Sequence, residues 1–387
     1  MDQPIEITPE NLVVKLAESP EERKRIYQFR YEVYIEEMGK NVEHDEKNKI
    51  LKDDLDESGR VYYMEANGEI ISTIRVNLFR EGGFNDFIYQ NCGIERLKKL
   101  NHCLSYTSKL MVTPRWRQSV VLGKLLNYIY SQARELGIKI DFCYCAPSLV
   151  AYYELLGYRR YKDNFIDPGV GYRIPMALLI EDVEYMRKTG SPFYRIARNL
   201  NNTQYEVDYF RKTFASDQYF VSSKVRNADY FWERFADHLH NQSLDLFKSM
   251  DRKQVDSFIN RCTVISCKAG DSIIRTGDVG KEMFVILSGA AEVRKDINDK
   301  QVIVATFGKG QVFGEMAFLS NIKRTAEVVA INDLETLVLT QELFHTLLKQ
   351  MPENCAQILL NLSSILCDRL RLSTELYLNT LGNQDET

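Results

Sequence analysis

The sequence predicts an α+β protein: a mixed-sheet domain, a helical connector and a β-jelly-roll domain. Three observations carry that reading. Residues up to about 190 alternate strand-like and helix-like runs, with a strong hairpin signal at Asn67-Gly68. Residues 191–245 are polar and rich in aromatics. From Leu246 onward turn signals recur at short intervals, at Ala269-Gly270-Asp271, Thr276-Gly277-Asp278, Ser288-Gly289 and Gly308-Lys309-Gly310. That spacing is the signature of a small antiparallel barrel or jelly roll. With 387 residues the chain exceeds one ordinary domain, and the expected divisions are 1–190, 191–245 and 246–387.

Asn11 to Leu16 alternates apolar residues and reads as a first strand. Ser19-Pro20-Glu21-Glu22 supplies a cap, a proline in the first turn and a Glu three residues on. The helix it opens runs through Ile26, Phe29 and Val33, with Arg30 and Tyr34 four apart on a neighbouring face. A charged segment, 39–52, is expected to be mobile and leads into Asp53-Asp54-Leu55-Asp56. Val61–Ala66 and Glu69–Leu78 read as hairpin strands. Arg75 shares a strand face with Ile71 and Thr73, and a buried guanidinium needs a carboxylate partner or an anionic ligand. Asp54 and Asp56 are near in sequence; an exposed edge arginine is the alternative. Tyr106–Val112 reads as a strand, and about Gln118 to Leu136 as a helix stopped by Gly137. Lys139–Cys145, a short helix ending at Gly157, and strands within Tyr158–Ile180 complete a mixed sheet covered by helices.

Composition excludes several functions. Fifty Lys plus Arg against 54 Asp plus Glu give a net charge of −4, which offers no electrostatic reason for a nucleic-acid partner. Eight cysteines without an even framework and five scattered histidines give no metal-ligand spacing, so buried thiols and no metal are expected. No apolar run reaches the ~20 residues of a membrane span. With no signal sequence at Met1-Asp2-Gln3-Pro4, a soluble, cytoplasmic protein is expected.

Val112-Thr113-Pro114-Arg115-Trp116-Arg117, followed by Leu125-Leu126, resembles the acyl-donor motif of the Gcn5-related N-acyltransferases. Ala151-Tyr152-Tyr153-Glu154-Leu155-Leu156-Gly157-Tyr158 resembles a second segment of that family. The resemblance implies Tyr153 as general acid, with Tyr152 its competitor. It places the thioester carbonyl against backbone N–H groups around Met111 and Val112. Arg115, Arg117 and Gly123 would meet the donor. Residues 29–39, Asp54-Leu55-Asp56 and Ile74-Arg75-Val76 resemble the autoinducer synthases and bacterial N-acyl amino acid synthases. This implies that Arg30, Asp54, Asp56 and Arg75 hold a small-molecule amine acceptor. The general base stays open among Glu32, Asp54 and a water. One departure concerns the donor: Gln118, Val120 and Leu122 are bulky where the family has small residues that wrap a pyrophosphate. A carrier-protein phosphopantetheine demands less of that loop than coenzyme A does. Arg115, Arg117 and Lys124 would then face an acidic acyl carrier protein, while acyl-coenzyme A remains the alternative donor.

Phe313-Gly314-Glu315-Met316-Ala317-Phe318-Leu319, then Arg324-Thr325-Ala326, has what a cyclic nucleotide phosphate needs. Gly314 permits close backbone approach, and freed N–H groups at the helix start point at an anion. Glu315 can accept from a ribose hydroxyl, and Arg324 offers a planar fork to phosphate oxygens. The stretch resembles the phosphate-binding cassette of cyclic nucleotide-binding domains, with Lys323 where many members have proline. The implied effector is cAMP or cGMP. Pro352 opens a helix with Ile358, Leu359, Leu362, Ile365, Leu366 and Leu370 on one face. Only a short tail is expected after Leu372, without room for a helix-turn-helix. Aromatics such as Tyr205, Tyr209, Phe210, Phe214, Tyr219, Tyr230, Phe231 and Trp232 are too many for a loose connector. Together the resemblances imply a cyclic nucleotide-regulated N-acyltransferase acting on an amino acid amine. The alternatives are a protein lysine acyltransferase and a non-catalytic sensor.

Overall fold

A computed structural model describes residues 12–117, 119–215, 245–298, 300–320 and 322–384. Asn11, Gln118, Tyr219, Tyr230, Phe231 and Trp232 therefore lie outside the described residues. The chain forms two compact units, Met1–Ser222 and Ser223–Thr387. Among the described residues no helix is long and apolar enough to cross a membrane.

The first unit is an eight-stranded mixed sheet. Strand β1 (Val14–Leu16) precedes helix α1 (Pro20–Tyr31), which a one-turn π-helix (Glu32–Glu37) prolongs. The expected capping box is complete: the Ser19 hydroxyl accepts from the Glu22 N–H, and the Glu22 carboxylate accepts from the Ser19 N–H. The segment expected to be mobile is instead tied down. Asp45 and Ile50 exchange backbone hydrogen bonds, and Leu51 is buried with its N–H on the Tyr27 carbonyl. A short helix α2 (Leu55–Ser58) leads to β2 (Arg60–Ala66) and β3 (Glu69–Leu78). They meet at Asn67 and Gly68, both with positive φ, as a two-residue hairpin turn requires.

After α3 (Asp86–Asn91) come β4 (Leu104–Val112), α4 (Val120–Glu135), β5 (Ile140–Cys145) and α5 (Val150–Leu156). Strands β6 (Arg159–Arg160), β7 (Phe165–Asp167) and β8 (Gly171–Leu179) close the sheet. Its order is β1-β2-β3-β4-β5-β8-β6, with β7 also on β8. Two irregularities position the site. In β4, Lys109 and Leu110 together oppose Ile74, a β-bulge with Lys109 at φ +53°. Strands β4 and β5 are parallel and pair only from Leu104/Ile140 to Tyr106/Phe142, then diverge. Helices α6 (Val183–Thr189), α7 (Tyr194–Ala197) and α8 (Tyr205–Thr213) follow. Residues read as the start of a connector pack on this unit: Val207, Phe210 and Phe214 share a core with Leu104, Phe142 and Tyr161.

Among its described residues the second unit has a short 3-10 turn (Asp245–Phe247), helix α9 (Arg252–Ile259) and two four-stranded antiparallel sheets. One contains β9 (Thr263–Cys267), β11 (Glu282–Ser288), β14 (Val312–Phe313) and β16 (Leu334–Thr340). The other contains β10 (Ser272–Ile274), β12 (Ala291–Ile297), β13 (Lys300–Phe307) and β15 (Glu327–Ala330). Helix α10 (Glu315–Ser320) carries the cassette, and α11 (Gln341–Gln350) and α12 (Pro352–Gln384) follow. Cys355, Ile358 and Leu362 of α12 are buried in the core. Leu370 is exposed rather than on the core face, and the residues after Leu372 continue the helix to Gln384.

Candidate functional site

The end of α1, the turn before α2 and the β3–β4 pair bring five charged side chains together. Arg30 and Asp56 are fully buried and 2.7 Å apart. Arg75 reaches Asp56 at 3.0 Å and also pairs with Asp53. Lys109 lies 2.9 Å from Asp53. Three of the four expected acceptor residues, Arg30, Asp56 and Arg75, thus share one network. Asp54 does not: its side chain is exposed and caps nothing, and Asp53 takes that place. The reason is local phase, since Asp54 stands at the outer edge of the α2 turn. Arg23 fixes this turn by donating to the Asp56 and Gly59 carbonyls. Burial raises the Asp56 carboxyl, but Arg30 and Arg75 outweigh it and hold the group ionised below its ordinary value. Burial lowers the Lys109 ammonium, and Asp53 only partly restores it.

Three cations face two carboxylates here, leaving one buried positive charge uncompensated. Nε and Nη2 of Arg30 have no hydrogen-bond partner among the described residues. Buried charges of this kind are ordinarily paired, so the cluster is suited to one further anion.

On the other face of the sheet Ile74, Val76, Leu110, Leu126, Ile129 and Leu178 line a cavity of about 30 Å³. Alternation along β3 puts Ile74 and Val76 on this side and Arg75 on the charged side. The Thr113 N–H bonds the Ile71 carbonyl, so alternation turns Met111 toward β3 and Val112 toward the gap between β4 and β5. The Val112 carbonyl correspondingly accepts from Arg117 at 2.9 Å rather than from a strand. Of the two expected amides, that of Met111 belongs to the ladder with Thr73, and that of Val112 does not face β3.

Tyr153 lines the cavity and Tyr152 does not. The Tyr153 ring meets Tyr158 edge-on at 5.3 Å, and burial raises its phenol well above the ordinary value. Its hydroxyl has no hydrogen-bond partner among the described residues, which leaves it able to donate into the cavity. Asp141 ends the cavity on the polar side: it is buried and accepts from Ser105 at 2.5 Å, Thr107 at 2.8 Å and Tyr158 at 2.5 Å. Burial raises its carboxyl despite those three donors. Glu32, a possible base by sequence, is exposed. Cys143 and Cys145 are buried thiols whose pKa burial raises, and they offer no ready thiolate.

The donor residues are distributed differently from expectation. Arg115 is exposed, 5.9 Å from the Trp116 ring. Arg117 is engaged in a two-pronged pair with Glu37, at 2.6 and 2.7 Å, and does not present an open fork. Gly123 sits on the exposed side of α4, where an added Cβ would meet nothing within 4 Å; internal packing does not demand glycine there. Lys124 donates to the Leu12 carbonyl.

In the cassette Gly314 has φ +81°, and a Cβ there would come within 2.9 Å of Arg324 Nη1. Arg324 is buried; it donates to the carbonyls of Gly314 at 2.9 Å and Glu282 at 2.8 Å and pairs with Glu282 Oε1 at 3.3 Å. Glu315 begins α10 and is buried, Ala317 points into the core, and Met316 is half exposed. Thr325 is exposed and Ala326 intermediate, in the segment just before β15. The carboxylate of Glu315 is met by Arg369 of α12 at 2.9 Å. Sequence reasoning missed Lys109, Asp141 and Arg369. Asp141 had a visible signal, a lone carboxylate inside the apolar run Ile140–Cys145; Arg369 had none.

Comparison with known proteins agrees with both halves of this description. The family described as N-acyl amino acid synthase FeeM matches residues 25–180, and the cyclic nucleotide-binding domain family matches residues 264–351. The cyclic AMP receptor protein of Thermus thermophilus is 29% identical over 127 residues, which are 33% of this chain and 57% of that one. Human cGMP-dependent protein kinase 2 is 30% identical over 138 residues, 35% of this chain and 18% of that one. The chain thus spans 18–57% of the length of these curated relatives. A solved cyclic nucleotide-binding domain from Methylobacillus flagellatus is 26% identical with a TM-score of 0.36, covering 40% of this chain and 86% of that chain. The protein joins an N-acyl amino acid synthase domain of the FeeM family to a C-terminal cyclic nucleotide-binding domain.

Proposed function

We propose that the first unit transfers a fatty acyl group from a phosphopantetheine thioester to the amine of an amino acid, under control of a cyclic nucleotide, cAMP or cGMP, held by the second. The observation that carries the acceptor is the network in which buried Arg30 and Arg75 and half-buried Lys109 meet buried Asp56 and exposed Asp53. Its surplus positive charge favours an acceptor that brings a carboxylate and disfavours a protein lysine, which brings only an ammonium. The acyl chain would enter beside β4, where the cavity of about 30 Å³ must widen to take it, with its carbonyl in the gap near the Val112 N–H. Tyr153 would protonate the departing thiolate, and the proton that the amine nitrogen loses would restore the phenol through water, so that the N–H broken balances the S–H formed. An acyl carrier protein is the favoured donor, because bulky Val120 and Leu122 stand where a pyrophosphate grip needs bare backbone.

The test is product formation, followed by mass spectrometry, with acyl-carrier protein and acyl-coenzyme A as donors. Each amino acid is compared with its decarboxylated amine. Acylation of the amino acid with little of the amine is expected. Equal turnover of both, or preferred acylation of a lysine peptide, would overturn the acceptor assignment. Turnover with coenzyme A equal to that with carrier protein would overturn the donor.

A further inference from the structure

We propose that Arg173, on β8, is a second anion-binding group of the acceptor site, and that the preferred acceptor is an amino acid whose side chain carries a carboxylate of its own. The proposal rests on the amino acid acyltransferase reading above and deepens it by naming the acceptor's side-chain class.

The sheet puts Arg173 on the same face as the charged network. Arg75 pairs with Ser108 of β4 and donates to its hydroxyl at 3.1 Å. Two residues back on β4, Tyr106 pairs with Phe142 of β5. Tyr144, two residues on from Phe142, pairs with Pro175 of β8, and Arg173 stands two residues before Pro175. Paired residues share a side and every second residue returns to it, so Arg75, Tyr106, Tyr144 and Arg173 all face one way. The Tyr106 and Tyr144 rings are 5.7 Å apart, as that alternation requires. Tyr34, on the π-helix that prolongs α1, joins the two ends of the row. Burial raises its phenol while Arg173 and Arg30 both oppose the rise, so it stands within electrostatic reach of both cations.

Arg173 is only 9% exposed and makes no ion pair among the described residues. Its Nη1 donates to the Tyr172 carbonyl at 2.8 Å, a neutral acceptor. Asp167, two residues along from Phe165, the register partner of Arg173, closes the β7–β8 turn. It accepts from the Gly169 and Val170 N–H groups at 2.8 and 3.0 Å and from the Tyr144 hydroxyl at 2.9 Å. A buried guanidinium met by one neutral oxygen keeps its charge and most of its five donors in reserve.

The network of Arg30, Arg75 and Lys109 already has one positive charge for the acceptor's α-carboxylate. Arg173 is a further one on the same face, and a single carboxylate cannot answer both. An apolar side chain would cover the guanidinium without pairing it, which costs the desolvation of a charge. A side-chain amide offers one neutral oxygen, whereas a carboxylate offers two charged ones to the planar fork. Selectivity then comes from the charge that the wrong side chain leaves unpaired.

The experiment is acylation by the full chain with one acyl donor, followed by mass spectrometry. Aspartate and glutamate are set against asparagine, glutamine, leucine and tyrosine. The wild type is expected to favour the better dicarboxylic acceptor over its amide about 10–100-fold in kcat/KM, as a charge-assisted hydrogen bond gives. Arg173→Gln should cut kcat/KM for that acceptor by a similar factor, chiefly through KM, and bring the acid-to-amide ratio toward one. Arg173→Lys should keep part of the preference. A wild type that acylates amino acids without favouring the acid over its amide, or that favours leucine or tyrosine, overturns this proposal and leaves the amino acid reading standing. So does an Arg173→Gln variant whose ratio is unchanged, that loses acid and amide equally, or in which the donor KM alone rises. Thermal melts identify a variant that fails to fold, and Arg173→Lys then carries the comparison. If no amino acid is acylated, the parent reading fails and this proposal with it.

Discussion

Amine attack on a thioester expels a thiolate that must be protonated, and a phenol that burial keeps protonated can supply the proton. Tyr153 has that environment, and Tyr152, beside it on α5, does not line the cavity. Tyr153→Phe should lower turnover roughly 10²–10⁴-fold with little change in donor KM, whereas Tyr152→Phe should retain it. Steady-state rates with a single acyl donor decide this, and the reverse pattern would shift the role by one position. Side chains of this site were legible where chemistry leaves few choices. A guanidinium at Arg75 inside an apolar strand needs an anion, which pointed to the acidic run at 53–56. Which aspartate answers could not be read, because the phase of a four-residue helix decides between Asp53 and Asp54. Lys109 was invisible for a similar reason: only the bulge opposite Ile74 places it beside Asp53.

At the scale of elements, the sequence was most readable where local chemistry sets the boundary. The Ser19–Glu22 box starts α1, and Asn67-Gly68 turns the β2–β3 hairpin. It was least readable where distant contacts decide. Leu370 fits the helical period of α12 yet faces outward, because the core that α12 covers ends near Leu362. The α1 box also gives a pH dependence. The Ser19 N–H, the Tyr63 hydroxyl and the Ser19 hydroxyl stabilise the Glu22 carboxylate and lower its pKa from 4.5 to about 2. A depressed carboxyl pKa contributes stability that is complete above 4.5 and lost as the pH falls toward about 2. Glu22→Gln should therefore be less stable than wild type at neutral pH, with the difference vanishing near pH 2. Urea midpoints across that window measure it, and a constant difference would show that the box acts through geometry rather than charge.

Over the whole molecule, two compact units in one chain allow two unfolding transitions, and a ligand of one unit can report on both. A nucleotide that binds only the folded second unit stabilises it by about 2.7 kcal/mol at a hundredfold excess over Kd. Calorimetry should therefore show one transition rising with nucleotide concentration. Its assignment follows from Arg324→Ala, which removes a fork packed against Gly314 and should suppress the shift. If the nucleotide controls acyl transfer, binding must also change the free energy of the first unit, because a ligand with equal affinity for two states shifts neither. The second transition, followed through the aromatic core of Phe142, Tyr161, Phe210 and Phe214, should then move as well. The size of that movement is the coupling free energy, about 1–3 kcal/mol in typical allosteric pairs. The sign carries the regulation: an upward movement means that nucleotide favours the structured first unit, a downward one that it loosens it. The nucleotide dose–response of turnover should have its midpoint at the calorimetric Kd when acyl donor and acceptor are held well below their KM values. A fixed transition of the first unit, together with turnover indifferent to saturating nucleotide, would separate the two units functionally and remove regulation from the proposed activity.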